Sequence, residues 1–128
     1  MPELSSYDYA IIRVVPRAER EEFINAGVVL FCPEQQFLGV QLRVDENRLR
    51  ALWPEIELDD LRRHLEAFPK ISSGDATGGP IAQLSQRERF HWLVSPRSTV
   101  IQLSPVHSGL CKSPEETLVQ LFRGSVDC

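Results

Sequence analysis

Arg20-Glu21-Glu22-Phe23-Ile24-Asn25-Ala26-Gly27-Val28-Val29-Leu30-Phe31-Cys32 is the stretch whose reading decides the fold. Its first half is charged and turn-prone, and its second half is an unbroken apolar run that reads as a buried strand. Asn25 and Gly27 accept turn dihedrals that other residues resist. The expectation is therefore a short arm carrying Arg20, Glu22 and Asn25, set against the start of that strand and holding its polar groups in position.

Upstream, Tyr7 to Val15 reads as a strand with apolar side chains on both faces, which places it centrally in a sheet. Pro16 ends it, and R-A-E-R-E-E-F makes one helical turn. Downstream, Pro33 to Gln36 is a turn into a third strand, Phe37 to Val44, which forms a hairpin with Gly27 to Cys32. Leu38, Val40, Leu42 and Val44 give that strand a dry face, while Phe37, Gly39, Gln41 and Arg43 give it a mostly wet one.

Helical spacing takes over after Asp45. Leu49 and Leu52 share one side of a short helix that Pro54 terminates. Leu58, Leu61, Leu65 and Phe68 recur at intervals of three and four, with acids near the helix start and Pro69 as the expected stop. The run from Ser72 to Pro80 has no apolar anchor and reads as a flexible loop, without the Lys-Ser/Thr end of a phosphate-binding loop. Ser85-Gln86-Arg87-Glu88 is a capping box that opens a helix through Phe90 and Leu93, ended by Pro96. Thr99 to Ser104 is a fourth strand, and P-V-H-S-G-L-C-K connects it to a last helix capped by Ser113, opened by Pro114 and stopped at Gly124. The order of elements predicts an α+β domain: an antiparallel sheet of about four strands with about three or four helices packed mainly on one face.

At 128 residues and 42% hydrophobic, the chain has material for one core, so residues 1–128 are expected to form a single domain. The acid-bearing N-terminus and the lack of any long apolar run predict neither a cleavable signal nor a membrane span, hence a soluble cytoplasmic protein. Cys32, Cys111 and Cys128 are widely spaced and odd in number, which fits reduced thiols. A net charge of -4 argues against bulk attachment to nucleic acid.

Chemical constellations are thin. His64, His91 and His107 stand far apart, with no C-x-x-C or H-E-x-x-H to seed a metal site, so no metal and no cofactor are expected. His107 falls in the connection before the last helix, near Ser108 and Cys111. There a nucleophile and base would need hydrogen-bond reach of each other, against the plainer reading of turn capping and packing. Arg13 follows Ile11 and Ile12 in an apolar strand, so its guanidinium needs a partner. The leading reading is an Arg13–Glu22 pair that locks the arm; the alternative is an anion site of Arg13, Arg20 and Asn25.

Two further segments carry a resemblance. Y-D-Y-A-I-I-R-V-V-P at Tyr7 to Pro16, followed by R-x-E-F-x-N-x-G-V-V-L from Arg20 to Leu30, and S-P-V-H-S-G at Ser104 to Gly109 resemble the bacterial domain of unknown function family 3037 over nearly the whole chain. The resemblance implies a bacterial cytosolic protein without an established activity. Because genes of the family often lie beside those of HipA-like kinases, it also implies such a kinase as a candidate partner.

Three function classes follow. The first is a non-catalytic interaction or accessory module, meeting another protein through a sheet edge or the arginine-bearing helix. The second is a small hydrolase or nuclease using His107 with Glu22 or Asp8, with Cys111 as a further catalytic candidate. The third is a nucleic-acid binder using Arg87, Arg89 and Arg97. The binding candidates are Arg13, Arg20, Glu22, Asn25 and His107.

Overall fold

In the computed structural model, which describes residues 3–96 and 100–126, β1 (Ser5–Val14), β2 (Ile24–Cys32), β3 (Phe37–Leu42), β4 (Ile101–Leu103) and β5 (His107–Cys111) form one antiparallel sheet. The order is β3-β2-β1-β4, and β5 also pairs with β1. Because β2 occupies one side of β1 from Asp8 to Val14, β4 and β5 share the other side. The fold is α+β, and β1 is central.

Why β2 sits inside follows from its sequence. Every residue from Ala26 to Cys32 is buried, which requires cover on both faces of the sheet. Val29 and Phe31 point into the larger core with α1 (Glu46–Leu52), α2 (Leu58–Ser73) and α3 (Gln86–Val94). Val28, Leu30 and Cys32 point the other way, onto Leu118 and Phe122 of α4 (Pro114–Ser125). Three helices thus lie over one face and one over the other. α4 also corrects the reading of β3: Phe37 packs with the α4 cluster, so the face expected to be wet is partly dry.

The turn before β2 is displaced from where the sequence suggests. Asn25 and Gly27 lie within the strand, and the ladder runs on through Arg13 opposite Asn25 and Val14 opposite Ile24. The chain instead reverses after a single 3-10 turn, Ala18–Arg20, at Glu21, whose φ of 57 is left-handed. Gly27 is there for space: a Cβ would come 2.6 Å from the Gln41 carbonyl oxygen and from Leu42 on β3.

Pro69 does not stop α2, which continues to Ser73. A proline inside a helix forfeits one backbone bond, and here burial of Phe68, Ile71 and Ser72 outweighs that loss. The true end is Gly74, at φ 75, with the Gly74 and Asp75 N–H groups donating to Ile71 and Lys70. The expected loop from Ser72 to Pro80 therefore contains the end of α2, a 3-10 turn at Ala76–Gly78 and the start of another at Pro80–Gln83. Arg89 of α3 clamps it, donating to the carbonyls of Ile71 at 3.0 Å, Ser72 at 2.9 Å and Leu84 at 3.0 Å.

The connection ahead of α4 is also regular. Pro105 breaks the pairing after β4, and the chain then rejoins β1 as β5, with Ser5 opposite Cys111 and Tyr9 opposite His107. Buried Ser104 spans the break: its N–H donates to the Ile11 carbonyl, and its hydroxyl accepts the Ile11 N–H at 2.8 Å. Gly124 lies inside α4, which reaches Ser125. Cys128, Arg97 and Thr99 fall outside the described residues.

Candidate functional site

At the arm, the ladder slips between Ile12 and Arg13, a bulge that re-aims the Arg13 side chain. Its guanidinium lies 4.3 Å over the Phe23 ring. Glu22, the partner expected from the sequence, is engaged by Arg20 in an exposed pair. The reversal at Glu21 accounts for this, because it leaves Glu22 and Arg20 together at the surface. Phe23 is the residue sequence reasoning missed. It stands two positions before Asn25 in a charged run and is 45% exposed.

Asn25 donates through Nδ2 to the Ser125 carbonyl at 3.0 Å, tying β2 to the end of α4 and fixing which way its amide points. Its Oδ1, and the Arg13 Nε across the ladder, are both buried without a hydrogen-bond partner among the described residues. Beside them a cleft of about 450 Å³ is lined by Phe23, Asn25, Arg48, Leu52 and Ser125, among others. Of the arm residues singled out in the sequence, Asn25 lines the cleft, whereas Arg13, Arg20 and Glu22 do not.

His107 is exposed on β5, with its ring 5.4 Å from Tyr9. Directly paired residues share a face and neighbours alternate. His107 therefore lies with Tyr9 on the α4 face, while Asp8 lies with Ser108 on the other, the Ser108 hydroxyl donating to its carboxylate at 2.6 Å. Glu22 is beyond the far end of β1, and the run from Tyr9 to Val14 alone spans roughly 17 Å. Neither carboxylate is brought to His107.

Cys111 is 5% exposed within the α4 cluster, where burial pushes its thiol above the usual value and neighbouring Cys32 adds to the shift. The start of α4 is instead capped by the Ser113 hydroxyl, which accepts the Glu116 N–H. Both Cys32 and Cys111 are free thiols. Among the described residues no group of three or more His, Cys, Asp and Glu side chains is placed to hold a metal ion.

Of the arginines considered for nucleic acid, Arg97 lies outside the described residues and the other two make contacts within the fold. Arg89 is spent on backbone carbonyls, and Arg87 lies 5.5 Å over the Phe31 ring. No described helix is long and apolar enough to cross a membrane.

The remaining feature is a sheet edge. Among the described residues β5 pairs only with β1, and no charged residue occurs from Pro105 to Cys111. Leu110 is 65% exposed, and Val106 and the nearby Leu4 are exposed as well. At the opposite edge, β3, Leu38 is buried and the other residues are half-buried, with α2 and α4 packed beside the strand. Reading P-V-H-S-G-L-C as a connection hid this edge, although its exposed apolar positions, Val106 and Leu110, lie an even number of residues apart as one strand face requires.

Residues 9–126 match the family model described as Protein of unknown function (DUF3037). The chain belongs to this family. The match spans β1 from Tyr9 through to the end of α4, and so takes in the arm, the cleft and the β5 edge. Neither a curated protein nor a solved structure matches the chain.

Proposed function

We propose that this family member is a non-catalytic interaction module of the bacterial cytoplasm, whose β5 edge takes an extended segment of a partner protein as an added strand. The observation that carries the reading is the uncharged edge from Pro105 to Cys111, with Leu110 65% exposed. Proteins that leave an edge strand unpaired usually protect it with charge or proline. From His107 to Cys111 β5 carries neither, Pro105 standing two residues ahead of it, and strand addition would supply main-chain hydrogen bonds with side-chain selectivity at alternate positions.

The partner put forward by the family resemblance is a HipA-like kinase. Mixing the two proteins and following amide hydrogen exchange tests this. Slower exchange confined to Val106–Cys111 is the expected result, and Leu110→Lys should weaken binding at least about 10-fold, since an apolar contact is replaced by a charge that must be desolvated. Tight binding that leaves β5 exchange unchanged, or that survives Leu110→Lys, refutes the edge as the contact. The hydrolase or nuclease reading has less support, because His107, Glu22 and Asp8 do not converge.

A further inference from the structure

A second feature lies away from both the arm and the β5 edge. Between α2, α3 and the start of β4 is a crevice of about 330 Å³, walled by Ala67, Phe68, Trp92, Val100 and Ile101. Arg63 and His64, both exposed, stand at its mouth. The volume falls in the range of small-molecule sites, which pair apolar walls with a few convergent polar groups.

The geometry points to a binding site for a small amphiphilic carboxylate, its apolar body in the crevice and its head on Arg63 and His64. Trp92 is 38% and Val100 36% exposed, so an apolar occupant would remove a large aromatic and a branched surface from water. The head group follows from charge. Arg63 gives one Nη2 donor to Asp60 Oδ1 at 2.6 Å, which leaves other N–H groups of its five for a ligand. A planar carboxylate matches the guanidinium fork, whereas a cationic head would be repelled. His64, one residue on, adds a ring nitrogen to the same rim.

The helix sets this arrangement. Arg63, His64, Ala67 and Phe68 occupy positions i, i+1, i+4 and i+5, which form one stripe along α2. Small Ala67 in the middle of that stripe leaves the space that a larger residue would fill.

The test titrates the full chain with decanoate, decanol and decylamine, each below its aggregation concentration, and follows heat and the two tryptophan indole N–H resonances. Decanoate should bind saturably at one site per chain, at least about 10-fold tighter than the other two, as charge-assisted hydrogen bonds imply. On the unmodified protein the Trp92 resonance should move with occupancy while that of Trp53 stays. Ala67→Phe, which fills the crevice, should abolish binding, and Arg63→Gln with His64→Gln should bring decanoate to the level of decanol. No saturable binding, equal binding of all three probes, a stationary Trp92 resonance, or undiminished binding by a folded Ala67→Phe variant would each overturn the inference.

Discussion

Replacing Arg13 by Met separates an ion-pair lock from an arginine held by an aromatic ring. Methionine keeps most of the aliphatic stem over Phe23 and removes the guanidinium. Were Arg13 locked to Glu22 in a buried pair, losing one partner would cost about 3–5 kcal/mol. The observed contacts give a different sum. A cation 4.3 Å over a ring that is 45% exposed contributes about 0.5–1 kcal/mol. Against this stands the buried Nε without a partner, whose desolvation costs about 1–3 kcal/mol. Removing both should leave the protein unchanged or more stable by about 1 kcal/mol. In urea unfolding, with a slope of about 1–3 kcal/mol/M, the midpoint should hold or rise by roughly 0.5 M. Glu22→Gln, which touches only the exposed Arg20 pair, should move it by less. A loss of 3 kcal/mol or more in Arg13→Met, reproduced by Glu22→Gln, would refute this reasoning and restore the lock.

Gly27→Ala should lower stability by about 2–3 kcal/mol in the same assay, because the new Cβ meets a backbone oxygen of β3 that cannot step aside. Arg89→Met should cost about 2–4 kcal/mol through three lost charge-assisted bonds, and amide exchange should speed up from Ile71 to Leu84, where those bonds fasten the chain. Cys111 provides a pH prediction. Its thiol is raised in the folded state, so the folded protein holds the proton more tightly than the unfolded chain. The associated stability is whole below the ordinary thiol value of 9.0 and is lost as pH rises through the higher folded value. Cys111→Ala should flatten that alkaline decline in denaturant titrations, and native Cys111 should react with iodoacetamide more slowly than an exposed thiol at pH 8.5.

What could be read from the sequence was whatever depends on local pattern. The alternation and apolar runs of β1, β2 and β3, the spacing of Leu58, Leu61, Leu65 and Phe68, and the capping serines Ser85 and Ser113 each encode their element within a few residues. What escaped depends on partners distant in the chain. Gly27 looks like a turn glycine until β3 is placed against it. Pro69 looks like a stop until the burial of Ile71 and the Arg89 clamp are counted. β5 looks like a connection because its one large apolar side chain, Leu110, is mostly exposed, and only pairing with β1 makes it a strand. The arm shows both sides: Arg13 needed a partner, as its surroundings require, but the choice between Glu22 and Phe23 turned on the left-handed residue Glu21.

The covering of the sheet also limits where a protein of this size can meet another. With α1, α2 and α3 over one face and α4 over the other, a partner strand finds open backbone only at the rims. At one rim, β3 is flanked by α2 and α4 and its side chains are buried or half-buried. At the other, the sheet is completed by two short strands instead of one, because Pro105 interrupts the pairing and Ser104 must lend its hydroxyl to the Ile11 N–H. A split rim twists and bends more readily than a continuous strand. It also separates β4, which helps wall the crevice beside α2, from β5, which carries the exposed Leu110. The two candidate surfaces therefore belong to different pieces of one rim, and a substitution at Leu110 should leave carboxylate binding at the crevice intact. Loss of decanoate binding in Leu110→Lys, with the fold preserved, would show that the two surfaces are one.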